Sequence, residues 1–227
     1  LASSAASDVY KRQEYGGEML YINKSAHHPM WAMEYSRDEG LRKYWDEYSY
    51  PYHKEGAGPL YRGKDASDYN HNQDMLAVEN IRRWFDYWQE RPGTGTRISS
   101  GGVKIIFSDT NTHFRGEENY RRSGVTDAMR IPKDAFYTHQ VMWDGWVDIE
   151  QPRIHIIGHW NYKEDVIKPV YVVSGADKVE LFLNGKSLGE GEREYHFLYT
   201  FKDVQFETGK LEAIGYDETG KECCRTE

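Results

Sequence analysis

VELFLNGKSLG, residues 179 to 189, reads as a β-hairpin. Val179, Leu181 and Leu183 alternate with Glu180 and Phe182, the two-residue period of a strand with one buried face. Asn184-Gly185 then supplies the pair that best tolerates positive φ at both centres of a tight turn. Outward from this hairpin lie IHIIGHWNY (154–162), VYVVS (170–174), YHFLYTF (195–201) and LEAIGYD (211–217). They are short, rich in β-branched and aromatic residues, and separated by turn residues without a helical period. Residues 150–227 are therefore expected to form an all-β domain, a sandwich.

Upstream of residue 150 the rhythm differs. PMWAMEY (29–35) is an apolar strand that puts Glu34 at its C-terminal end, a common way to aim a catalytic carboxylate. A long loop, residues 48–72, carries Tyr50, Tyr52 and His53. Asn72 offers an N-cap to DMLAVENIRRWFDYWQE, in which Ala77, Ile81, Trp84, Phe85 and Trp88 share one helical face, and Arg91-Pro92-Gly93 ends it. VKIIF (103–107) is expected as a parallel strand buried on both faces. The polar loop SDTNTHFRGEENYRR follows it, and Pro132 is expected in the first turn of a helix over KDAFYTHQVMWDGW. Strand, loop, helix, strand, polar loop, helix is an α/β order, and in a β/α barrel the working loops leave the C-terminal ends of the strands.

Composition narrows the function classes. The chain has 227 residues, 37 acidic and 29 basic, for a formal net charge of -8. It has no Lys/Arg-rich stretch of the kind that binds phosphate backbones, so no nucleic-acid partner is expected. No apolar window reaches the roughly 20 residues of a membrane span. Aromatic residues make up 15% of the chain and carry much of its core. The two cysteines, Cys223 and Cys224, are adjacent and read as ordinary thiols. LASSAASDVYKRQ (1–13) lacks the apolar core of a secretory signal and is read as an unstructured or artefactual tail.

Three segments in this order resemble glycoside hydrolase family 2, the β-galactosidase-like enzymes. VELFLNGKSLG, with HIIGHWNY and VYVVS before it, is similar to the immunoglobulin-like module that follows the catalytic barrel. RSGVTDAMRIPKDAFYTHQVMW resembles the segment that closes the barrel, and PMWAMEY resembles its penultimate strand, whose terminal glutamate is the nucleophile. The resemblance implies an α/β plus all-β chain: residues 14–149 as the last strands and helices of a partial (β/α)8 barrel, and residues 150–227 as an immunoglobulin-like β-sandwich.

It also implies a retaining glycosidase acting on an oligosaccharide or glycoside, with Glu34 as nucleophile and neither metal nor cofactor. Asp38 and Glu39 compete for that role but lie past the strand end. Trp31, Tyr50, Tyr52, His53, Asp109, Asn111 and His113 have the ring and hydrogen-bonding types that sugars require, and the Asp109, Asn111 and His113 group stands just beyond VKIIF. For Trp31 core packing is the favoured reading, since aromatic residues are mostly structural. His155 and His159 could share one side of a strand, but without an acidic or thiol partner at ligand spacing they read as satisfied histidines rather than a metal site. Trp143, Trp146 and Trp160 are expected to pack at the domain junction.

The family's acid/base glutamate, which follows an asparagine, has no counterpart after residue 14. The chain is thus expected to be an inactive C-terminal fragment; its location is left open, and the resemblance implies a parent that is periplasmic or secreted. A non-catalytic carbohydrate-binding or adhesion protein is the alternative. Sugar identity, anomer and oligomeric state are left open.

Overall fold

The structure is a computed structural model that describes residues 29–35, 45–52, 54, 56, 72–89, 98–104, 106–110 and 122–227, with backbone alone for 29–35 and 98–104. Strand β1 (Pro29–Tyr35) and strand β2 (Ile98–Lys104) pair in parallel, with helix α1 (Gln73–Gln89) between them in sequence. Parallel neighbours cannot be joined by a tight turn, so a crossover of this kind is required. Asn72 caps α1 as expected: its Oδ1 accepts the Met75 N–H at 2.9 Å while its carbonyl accepts the Leu76 N–H.

The second strand is displaced from the expected position. It spans ISSGGVK and ends at Lys104, whereas Ile106 and Phe107 of VKIIF lie beyond it, Phe107 being 57% exposed. Pairing with β1 overrides the weak strand preference of a Ser/Gly-rich segment. Helix α2 (Asp134–Val147) starts one residue later than read, with Lys133 as N-cap. Pro132 instead bridges Thr126, so it precedes the helix rather than opening it.

Eight strands follow: β3 (Ile154–Ile157), β4 (Ile167–Ser174), β5 (Lys178–Leu183), β6 (Lys186–Glu190), β7 (Glu192–Glu194), β8 (Leu198–Gln205), β9 (Leu211–Tyr216) and β10 (Glu222–Thr226). They form two antiparallel sheets, ordered β3-β4-β8-β7 and β10-β9-β5-β6. Val170, Val172, Tyr199 and Phe201 from the first meet Val179, Leu181, Leu183, Leu211 and Ala213 from the second, the interleaved core of a sandwich. Asn184 (φ 52°) and Gly185 (φ 78°) make the expected hairpin turn between β5 and β6. Tyr195 and His196 also have positive φ, so β8 begins at Leu198 and not within YHF.

The two parts share a core. Ala77, Val78, Ile81 and Trp84 of α1 and Ala135, Val141 and Met142 of α2 pack with Ile157, Val173, Phe197 and Leu198 of the sandwich. Both faces of β4 are thereby covered, Val172 inward and Val173 toward the helices, which explains why VYVVS lacks polar alternation. Trp143 takes no part: it is 58% exposed on α2, correcting its expected place in the junction. Trp160 packs on Phe206 and Tyr162 and donates its indole N–H to the Glu207 carbonyl. The side chain of Trp146 lies outside the described residues.

Candidate functional site

Because β1 and β2 are parallel, with Tyr35 opposite Lys104, the segments that follow both strands leave from one edge. The register there is irregular. Ala32 pairs with Gly102 and Tyr35 with Lys104, so three steps on β1 span two on β2, and the extra residue falls at Met33-Glu34. A bulge of this kind locally twists a strand and redirects a side chain.

The loop after β2 is tied down by Lys133, the residue before α2. Its ammonium donates to both Asp109 oxygens (3.0 and 3.2 Å), to Gln73 Oε1 (3.2 Å) and to the Arg122 carbonyl (3.1 Å). Burial pulls the Lys133 pKa below its usual range, while the Asp109 carboxylate opposes that shift. Asp109 Oδ1 also accepts the Gly124 N–H at 2.9 Å. A side chain at Gly124 would collide with the Asp109 backbone, its Cβ only 2.4 Å from the nitrogen. Asp127 closes the next turn by accepting the N–H groups of Met129 and Ile131, both at 2.8 Å.

Asp134, adjacent to Lys133, reaches the other way. Its carboxylate meets His155 Nε2 of β3 at 2.7 Å, and the Tyr137 ring stacks on that imidazole with centroids 4.5 Å apart.

A second polar cluster fastens the loop after β1. Asp46 is 3% exposed, and its Oδ1 accepts the N–H groups of Tyr48 and Ser49, both at 2.7 Å. Its Oδ2 accepts the Tyr162 hydroxyl at 2.8 Å and lies 3.2 Å from His159 Nε2. His159 Nδ1 accepts the Asn161 N–H, which in the neutral ring leaves the proton on Nε2, facing Asp46 and Ser49 Oγ. Lys168 donates to the Tyr162 hydroxyl at 3.0 Å and stands 3.9 Å from Asp74 Oδ2, and both Lys168 and Asp74 are buried while Tyr162 is half-buried. Burial alone would raise the Asp46 pKa, but the hydrogen bonds from His159 and Tyr162 and the Lys168 charge outweigh it and hold the carboxyl well below its usual range. Burial and the neighbouring Asp46 anion push the Tyr162 phenol up.

Of the residues singled out by sequence, Trp31 and Glu34 lie on β1, with side chains outside the described residues. Tyr50 and Tyr52 are 84% and 48% exposed on the loop that Asp46 anchors, their rings edge to face at 6.1 Å. Asp109 is engaged by Lys133. His53, Asn111 and His113, like Asp38 and Glu39, fall outside the described residues. His155 and His159 are held by different partners on separate clusters. Sequence reading missed Asp46, Tyr162 and Lys168. Their only local sign is the density of tyrosine and charge in WDEYSYPY and NYKED, and the pairing between those segments is non-local.

Residues 165–224 match a family described as a domain of unknown function, DUF4982. The chain is 34% identical over 196 residues to a beta-glucuronidase of Formosa agariphila, covering 83% of this chain and 18% of that protein. It is 33% identical over 100 residues to a beta-galactosidase of Bacteroides ovatus, covering 43% and 11%. The solved structure of a beta-glucuronidase from glycoside hydrolase family 2 superposes with a TM-score of 0.67 at 30% identity, over 88% of this chain and 20% of that one. The chain thus spans about a fifth of the length of the two beta-glucuronidases and less of the beta-galactosidase.

Proposed function

This chain belongs with the glycosidases of glycoside hydrolase family 2, and from that premise we propose that its parent protein hydrolyses β-glycosides with retention at the anomeric carbon, using Glu34 as nucleophile. The observation that supports the assignment is the bulge at Met33-Glu34, near the end of β1 that lies beside the end of β2 and the loop after it. In this reading residues 14–149 are the end of a (β/α)8 barrel, in which such an edge is the catalytic face.

The Glu34 carboxylate attacks the anomeric carbon and forms a glycosyl ester while a second carboxylic acid protonates the departing oxygen. That second group then takes a proton from water, whose oxygen displaces Glu34 and completes two inversions. It belongs to the part of the parent outside these 227 residues, so the chain alone is expected to show no turnover. The exposed rings of Tyr50 and Tyr52 stack on the apolar face of the sugar, and Trp31, His53, Asn111 and His113 are further candidate sugar contacts by residue type. Asp109, its charge met by Lys133, holds the loop rather than the sugar. The similarity to beta-glucuronidases and a beta-galactosidase makes β-glucuronides and β-galactosides the first substrates to assay.

In the full-length protein, Glu34→Gln should cut kcat on aryl glycosides by about a thousandfold or more while substrate binding persists. A 2-fluoro glycosyl inactivator should label the peptide that contains Glu34 in the parent enzyme. Retention of activity by the variant, or label on Asp38 or Glu39, overturns the assignment.

A further inference from the structure

We infer that Tyr162, His159 and Lys168 of the β-sandwich are positioning residues for the substrate-binding loop, acting through Asp46 to hold Tyr50 and Tyr52 at the mouth of the glycosidase site. The inference rests on the glycosidase reading above and extends it to a domain that contributes no catalytic group.

The geometry forms a closed circuit. Asp46 gathers the turn that leads into Tyr50 by taking two backbone N–H groups on one oxygen. Its other oxygen is taken by Tyr162 and approached by His159, both on the segment that follows β3. Lys168 on β4 links Tyr162 to Asp74 in the first turn of α1, and the Asp74 N–H returns to the Trp45 carbonyl at 3.0 Å, one residue before Asp46. His159 stacks on Tyr162 at 4.5 Å, and the Lys168 ammonium lies over the Tyr162 ring at 4.8 Å and the Tyr48 ring at 5.8 Å. A network centred on buried Asp46, Lys168 and Asp74, with half-buried Tyr162 and His159 completing it, favours one arrangement, because displacing a member leaves a buried charge without its partner. Its ordered product is a pair of outward-facing rings. A Lys163 ammonium 5.0 Å from the Tyr52 centroid adds a further grip from the sandwich. Rings held in place bind a sugar without the entropic cost of ordering a loop.

Tyr162→Phe in the full-length protein removes only the hydroxyl that Asp46 and Lys168 share. The expected result is a rise in KM of about fivefold, the equilibrium value of one lost hydrogen bond, with kcat within about twofold of the parent. Backbone hydrogen exchange at residues 46–52 should quicken in the same variant. Tyr50→Ala, at an exposed position that leaves the network intact, should raise KM without changing that exchange, and it provides the kinetic test if Tyr162→Phe does not fold. Faster exchange with unchanged KM, unchanged exchange, or an unchanged KM in Tyr50→Ala each overturns the positioning role. Failure of the glycosidase reading would appear separately, as an unimpaired Glu34→Gln enzyme.

Discussion

Replacing Phe197 with alanine tests whether the helices and the sandwich fold as one body. Its ring is fully buried in the core shared by α1, α2 and β4, edge to face with Trp84 at a centroid distance of 6.0 Å. The ring also rests on α2 at Gly145, where a Cβ would lie 2.6 Å from a ring carbon. Removal of a buried phenylalanine costs about 3–5 kcal/mol, and the cost grows when the walls cannot close over the space. Here the floor is helix backbone and the sides are a tryptophan and a sheet, so a loss of about 4 kcal/mol is expected, including about 1 kcal/mol for the aromatic pair. For a domain of this size the midpoint should fall by roughly 10 °C. Thermal unfolding of the 227-residue chain, followed by far-ultraviolet dichroism and by tryptophan fluorescence, should show both signals moving together. A loss below about 1 kcal/mol, or a helical signal that melts at its original temperature while the sheet signal falls, would refute the shared core.

Two further outcomes follow from the polar clusters. Lys133→Met strands Asp109 with its Gly124 contact alone, and urea unfolding should register a loss of about 2–3 kcal/mol, at the lower end for a buried pair because Asp109 keeps some contact with solvent. The double variant with Asp109→Asn should lose less than the sum of the two single changes, and strict additivity would show that the pair is not coupled. For Asp46 the folded carboxyl titrates below the unfolded value of about 3.9, so its stabilisation is complete above that pH and is lost as pH falls toward the lower folded value. Asp46→Asn should therefore flatten the decline in stability between about pH 4 and pH 2, and an unaltered slope would place the acid sensitivity elsewhere.

What the sequence made legible was whatever its local physics determines. The α1 helix could be read because a cap and a 3.6-residue apolar stripe lie within one continuous segment, and the β5–β6 hairpin because Asn184-Gly185 encodes its own turn. β2 was misplaced because VKIIF has the stronger intrinsic strand preference, whereas the pairing partner selects ISSGGVK. β7 and β10, ERE and ECCRT, have little apolar signal and exist because a neighbouring strand accepts them. Asp109 was legible as a polar residue beyond a strand, but its tie to Lys133, 24 residues away, was not. Asp46 is the reverse case: an unremarkable acid in a tyrosine-rich loop, given its role by residues 116 positions downstream.

Lys133 and Asp134 are neighbours in the chain that grip opposite halves of the molecule, one the loop after β2 and the other His155 of the sandwich. Inserting or deleting a single residue between them would shift one grip relative to the other by about 3.8 Å of chain. The joint therefore tolerates substitution more readily than a change of length. A chimera that borrows a sandwich from a related protein should take its cut before α2, so that Asp134, Tyr137 and His155 travel together, rather than at the apparent linker near residue 150.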